Sequence, residues 1–234
     1  MSDIYKEIKE FFITQQVLYG PTRPLTRAVV EEVERDEGEN VRSEEKNASE
    51  SGALHTFHGE INQCQKCALG STRTHFVFGS GNPHADLMLI GEAPGRDEDL
   101  QGKPFVGRAG QLLTLMLQAI GLRREDVYIA NVLKCRPPNN RDPLPEEIAK
   151  CEPYLLRQIE LIEPRLIVAL GRIASASLLR TNLALGKLRE EIHRYNEVPL
   201  IVTYHPAALL RNPQMKRNAW EDLKKVSDFL AKTG

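Results

Sequence analysis

The 234-residue sequence predicts a three-layer α/β/α domain around a central, mainly parallel four-stranded sheet. Three observations predict it. Four short runs are apolar on consecutive residues, as strands covered on both faces are. Patterns of helical length separate them, as parallel crossovers require. Each run then empties into an unusual loop rich in glycine, proline or asparagine.

Taken in chain order, residues 4–19 (IYKEIKEFFITQQVLY) bring Ile4, Ile8, Phe11, Phe12 and Leu18 near one helical face. Residues 1–20 therefore read as an amphipathic helix, ended by GPTRP. Residues 21–53 are polar, charged and poor in aromatics, which predicts a disordered, acidic linker. Residues 31–50 alone hold nine acids against three bases. The compact domain, 54–234, is mildly basic, because residues 51–234 hold 24 bases and 20 acids of the chain's 31 and 32. That balance permits a polyanionic partner without demanding one.

Within the domain, strands are expected at 86–91 (DLMLIG), 126–133 (DVYIANVL), 165–170 (RLIVAL) and 199–204 (PLIVTY). Helices are expected at 109–120, 144–162, 172–180 and 216–231. Ligands of such sheets bind at the carboxyl ends of the strands. Those ends run into GEAPG, NVLKCRPPNN, GRIAS and YHPAALLR. One site, built by four loops on one edge, is expected. No apolar run approaches the roughly 18 to 20 residues of a membrane span, and MSDIYKEIKE lacks the basic-then-apolar order of a secretion signal. An intracellular, cytoplasmic protein is expected.

The chain has four cysteines, Cys64, Cys67, Cys135 and Cys151. The first two form C-x-x-C, the third closes the second strand, and the fourth lies in the helix after it. Two disulfides do not suit a cytosolic chain. Four thiolates round a metal do, either as a Cys₄ zinc site or as a [4Fe–4S] cluster, and spacing alone does not choose between them. His58-x-Glu60 before the C-x-x-C is similar to the signature of zinc deaminases. Only three residues separate Glu60 from Cys64, too few for the two elements such a site needs, and that reading leaves Cys135 and Cys151 without a role.

The segments GEAPGRDEDLQGKPFVGRAGQLL, NVLKCRPPNNRDPLPEE and HPAALLRNP, in that order and with cysteines flanking the second, resemble the family 4 uracil-DNA glycosylases, the iron–sulfur members of their superfamily. The resemblance covers about residues 60 to 230. It implies a uracil-DNA glycosylase-like fold, a [4Fe–4S] cluster on the four cysteines, and uracil-containing DNA as partner. It also implies an activity: deoxyuridine is flipped out, its N-glycosidic bond is hydrolysed, and an abasic site is left. In that reading Gly91 and Ala93 let the backbone approach the base, and Phe105 stacks on the uracil ring. Asn131 reads the base, since one amide can accept from N3–H and donate to O4. His205 points at O2, where charge grows as the bond to N1 breaks. Leu209, Leu210 and Arg211 match the DNA-insertion segment.

The carboxylates are less determined. Ala93 stands where the best-known uracil glycosylases carry an aspartate, which leaves Glu92 and Glu98 as candidates for stabilising the sugar or positioning water. Glu98 also suits exclusion of thymine's methyl. Asn140 matches a functional position of the family, and Asp97 and Asp99 read as solvated. The histidine-bearing insertion of the covalent uracil-DNA binders is lacking, so turnover is expected. No loop lysine demands a Schiff-base role, so the enzyme is expected to be monofunctional, and a monomer.

Two rivals come from other classes. One is a non-catalytic module binding DNA through a metal knot. The other is a nucleotide-binding enzyme, which the acidic loop and the lack of G-x-x-x-x-G-K-[ST] disfavour. Outside the resemblance, Gln15 to Tyr19 (QQVLY) is similar to the peptides by which bacterial replication proteins dock on the sliding clamp. The alternative for that segment is the end of a packing helix.

Overall fold

The computed structural model describes residues 3–19 and 52–232. The linker expected at 21–53 lies almost wholly outside them. In chain order the helices before the sheet are α1 (Asp3–Tyr19), α2 (52–61) and α3 (Leu69–Thr72). The chain continues through β1 (Ser80–Gly81), β2 (Leu87–Gly91), α4 (Arg96–Gln101), α5 (Arg108–Ala119) and β3 (Tyr128–Asn131). Then come α6 (Pro145–Ile162), β4 (Leu166–Leu170), α7 (Arg172–Leu179), α8 (Leu185–Leu188), β5 (His193–Tyr195), β6 (Val198–Thr203), α9 (Pro206–Arg211) and α10 (Lys216–Lys232).

The sheet runs β1-β3-β2-β4-β6-β5. Its four central strands are parallel, and they are the four that the apolar runs predict. The correction lies at the edges, where β1 and β5 add antiparallel strands and make six. Two or three residues are too few to show a period, so neither edge was legible.

The consecutive apolar runs serve both faces by alternation. Leu87 and Leu89 of β2, and Leu166, Val168 and Leu170 of β4, face a core shared with α1, α5, α9 and α10. Met88, Ile90, Ile167 and Ala169 face the opposite core, shared with α2, α6 and α7. Helix α6 begins where PLPEE signals it. Pro145 occupies the first turn, and the buried Glu147 accepts the Leu144 N–H at 2.8 Å while pairing with Arg141 at 2.6 Å.

The amino-terminal helix is not a separate body. Ile8 and Phe12 are fully buried in the first core, and α1 packs against α5, α9 and α10. Phe11 lies under the Lys216 ammonium, which also pairs with Glu7. Beneath the other face, His58 tilts against Phe78 with ring centroids 4.6 Å apart, an aromatic packing role rather than a metal-binding one.

Candidate active site

The carboxyl ends of the four parallel strands open into a cleft of about 710 Å³. All four predicted loops reach it: Glu92 and Ala93 after β2, Asn131 at the end of β3, Gly171 and Arg172 after β4, and His205 after β6. Order 3-2-4 places the point where the chain reverses direction across the sheet at β2, whose carboxyl end is the GEAPG turn.

Two glycines let the walls close. A Cβ on Gly91 would sit 2.6 Å from Phe105 Cζ, so only glycine lets the aromatic ring lie across the strand end. Gly171 has φ +90°, and a Cβ there would meet His205 Cβ at 2.7 Å. Phe105 is itself in the left-handed region, at φ +52°, where an aromatic residue costs on the order of 1 kcal/mol or more. Arg124 holds that turn, donating to the Phe105 carbonyl at 3.0 Å and the Pro104 carbonyl at 2.9 Å. The Phe105 ring is mostly buried, with its centroid 5.4 Å from that of His205.

Asn131 is 2% exposed, and its Oδ1 is buried with no hydrogen-bond partner. An orphaned acceptor of this kind costs about 1–3 kcal/mol until a donor arrives. Its backbone is held from behind by Lys134, a fully buried residue whose Nζ donates to the Asn131 carbonyl at 2.9 Å and to Gln158 Oε1 at 2.5 Å.

The N–H of Ala207 donates to His205 Nδ1 at 3.1 Å, capping α9. That bond places the ring proton on Nε2, as a donor. Burial first, and the Arg211 charge second, push the imidazole down to about 4, so it is neutral at working pH.

Glu92 is pushed the other way, up to about 7, by burial first and by Asp142 second, against the pull of Arg172. Asp142 and Arg172 form an exposed pair at 3.0 Å on the cleft rim. Glu98 Oε1 is committed to the N–H groups of Val106 (2.9 Å) and Gly107 (3.1 Å), so this carboxylate pins the Phe105 loop. Asn140 stands on the exposed rim at φ +53°, its Oδ1 accepting from Arg136 Nε at 2.7 Å.

Two expectations are corrected. Leu209 is fully buried and belongs to the core, because the helical turn of α9 directs it inward; it has no free surface to insert into DNA. Leu210 is half-buried against the same core, and Arg211 is exposed at the cleft. Asp99 is not solvated but 4% exposed, because α4 forms where a turn was read and gives the acidic run a buried side. Sequence reasoning also missed Arg124, Lys134, Asp142 and Arg172. A lysine inside the apolar NVLKC run was a visible signal, and Asp142 and Arg172 lay within the loops NNRDPLPEE and GRIAS; Arg124 had no signal.

Behind the Glu92–Ala93 turn the four cysteines gather. Ala93 packs on the buried cluster of Leu69, Leu133 and Cys135, with Cys67 and Cys151 beside it. The sulfurs attract donors: Tyr154 Oη to Cys64 at 3.2 Å, the Lys134 N–H to Cys151 at 3.3 Å, and Arg73 Nη1 to Cys135 at 3.4 Å. They also lie within electrostatic reach of one another, since Cys135 senses Cys151 and Cys67, and Cys151 senses Cys67 and Cys64. Burial pushes the Cys135 thiol up to about 11. Yet among the described residues no three ligating side chains converge closely enough to hold a single metal ion.

An α/β sheet with one cleft over its strand ends, holding a neutral histidine, an orphaned buried amide and an aromatic plate, is the class of site seen here, and the model of the Uracil DNA glycosylase superfamily matches residues 78–224. Curated relatives narrow the class. The chain is 51% identical over 181 residues to the type-4 uracil-DNA glycosylase of Archaeoglobus fulgidus, covering 74% of this chain and 91% of that one. Identity is 48% to the type-4 enzyme of Saccharolobus solfataricus (74% and 84% covered) and 46% to that of Thermotoga maritima (74% and 93%). The chain belongs to the uracil-DNA glycosylase superfamily, and within it to the type-4 family.

Proposed function

We propose that this chain is a monofunctional uracil-DNA glycosylase that hydrolyses the N-glycosidic bond of flipped-out deoxyuridine, releasing uracil and leaving an abasic site for DNA repair. The observation that carries the reading is Asn131, whose Oδ1 is buried and partnerless, in the lining of a cleft shared with Phe105 and His205. Uracil N3–H supplies the missing donor, the amide nitrogen donates to O4, and Phe105 stacks on the ring. As the C1′–N1 bond breaks, its electron pair passes to the base, and His205 Nε2–H stabilises the charge on O2. Water adds to C1′ and gives up a proton to Glu92. A carboxylate near pH 7 is suited to that task. Glu98 holds the loop beneath the base, Gly91 and Ala93 give it room, and Asn140 contacts the nucleotide from the rim.

Arg211 and Leu210 contact DNA beside the flipped nucleotide, without Leu209. Release of free uracil from a single-stranded uracil oligonucleotide tests the proposal. Binding without release would leave a DNA-binding module instead.

Glu92 sets a pH dependence. Its carboxyl, raised from 4.5 to about 7, binds more protons folded than unfolded between those values. Stability therefore falls as pH rises through that window. Glu92→Gln is expected to raise the melting temperature at pH 8 and not at pH 4. It is also expected to remove a rise in excision rate near pH 7. Identical pH–rate profiles for the two proteins would exclude Glu92 as the acceptor.

Four cysteines gathered behind the Glu92–Ala93 turn are the donor set that a [4Fe–4S] cluster takes, the group implied by the resemblance to the iron–sulfur family. Cys64, Cys67, Cys135 and Cys151 would hold it, and its contribution would be to cross-link the segment before the sheet to the end of β3 and to α6. Purified protein is expected to be brown, with about four irons per chain and broad absorbance near 400 nm. Cys135→Ser is expected to lose iron and solubility together. Active protein with stoichiometric zinc would overturn the assignment.

Among the described residues no helix is long and apolar enough to cross a membrane. The working place of the enzyme is the cytoplasm at the nucleoid, as a monomer. Docking of Gln15 to Tyr19 on a sliding clamp stays part of the proposal. It would use the far end of α1, beyond the turns anchored by Ile8 and Phe12, and requires that Leu18→Ala with Tyr19→Ala abolish clamp binding.

A further inference from the structure

The cleft loop and the cysteine-bearing loop are stitched together at one buried carboxylate. Asp99 Oδ1 accepts the Thr74 N–H at 2.9 Å and lies 3.4 Å from the His75 N–H, while His75 Nδ1 bonds the Asp99 carbonyl at 2.9 Å. Just before Thr74, Arg73 reaches Cys135 Sγ and donates to the Cys64 carbonyl at 2.6 Å. Just before Asp99, Glu98 holds the amides of Val106 and Gly107, which follow Phe105.

A chain of short polar contacts thus runs from the thiol centre to the aromatic plate of the cleft. Both ends need holding. Phe105 sits in a backbone conformation that only its surroundings maintain, and the segment from Cys64 to Thr72 has one short helix, α3, and relies on side-chain contacts such as Arg73 to the Cys64 carbonyl for the rest.

We infer that Asp99 is a positioning residue for Phe105, and that it couples occupation of the base pocket to the grip of the cysteine loop on its cluster. The inference rests on the uracil-excising reading and on the cluster. Uracil stacked on Phe105 favours the loop conformation in which Val106 and Gly107 meet Glu98. That seats α4, and α4 seats Asp99 on Thr74. Coupling between two sites is reciprocal, so whatever order the base lends the cysteine loop, the loop lends to base binding.

The test uses the full-length, iron-loaded protein with free uracil as the probe. Loss of iron to a chelator is followed by the decay of absorbance near 400 nm. Saturating uracil is expected to slow that loss roughly fivefold or more in the wild type. Asp99→Asn, which keeps the shape and an acceptor for the Thr74 N–H but removes the charge, is expected to begin with full iron, to show clearly weaker protection than the wild type, and to bind uracil more weakly by a similar factor. Equal protection in both proteins, or none in either, overturns the inference. Should Asp99→Asn fail to fold, amide exchange at Thr74 in the wild type decides: slower exchange with uracil supports the coupling and unchanged exchange refutes it. A wild type that excises uracil from DNA without being protected by it defeats this inference alone. A wild type that excises nothing defeats the reading beneath it.

Discussion

Asn131→Asp is expected to reduce uracil excision by at least about 10²-fold, with slow release of cytosine appearing in its place. The amide is 2% exposed, its Oδ1 has no protein partner, and its backbone is tied to Lys134. No protein donor competes for that oxygen. Uracil offers a donor at N3 and an acceptor at O4; cytosine offers an acceptor at N3 and a donor at its amino group. An aspartate presents acceptors on both arms, so uracil O4 meets a repelling oxygen while the cytosine amino group gains a partner. Single-turnover assays on oligonucleotides with one uracil or one cytosine measure both effects. Full iron content in the variant separates a lost reading of the base from a lost fold. Undiminished uracil excision would mean that Asn131 does not read it.

His205→Ala is expected to lower the single-turnover rate by about 10²–10³ while leaving affinity for uracil-containing DNA nearly unchanged, because the donor meets its full charge only in the transition state. The ring already lies near 4, held there by burial and then by Arg211, so the wild-type inflection near 7 belongs to Glu92 and should persist in His205→Ala. A wild-type limb at 6.5 that vanishes in the variant would indicate a cationic histidine instead. Stability gives a second check. Between 6.5 and 4 the unfolded chain binds the proton and the folded one does not, so stability falls as pH falls through that window. The variant should lack that part of the acid lability.

The two predictions draw on different kinds of legibility. Asn131 and His205 were visible through the resemblance of NVLKCRPPNN and HPAALLRNP to family motifs, and the strand ends of a parallel sheet placed both loops on one edge. Their chemical state was not visible. The proton on His205 Nε2 follows from the Ala207 amide, and the unpaired oxygen of Asn131 follows from what surrounds it in the cleft. Glu98 was visible as a candidate residue, but its bonds to Val106 and Gly107 were not, since they come from a loop that folds back over it. Leu209 failed for a simpler reason: HPAALLR shows three candidates for a wedge, and only the rotation of α9 decides which faces the core.

What the sequence determined by itself was the central sheet, the edge on which the site lies, and the four cysteines with their loops, because apolar alternation, strand length and side-chain chemistry are local properties of the chain. The tertiary structure alone decided which acids are free and which are committed, and that α1 shares the domain core. It also decided that Asp99 joins the cysteine loop to the cleft. Those facts depend on residues far apart in sequence meeting at hydrogen-bond distance in a dry interior, where a charge or an amide takes its state from its neighbours and not from its own identity.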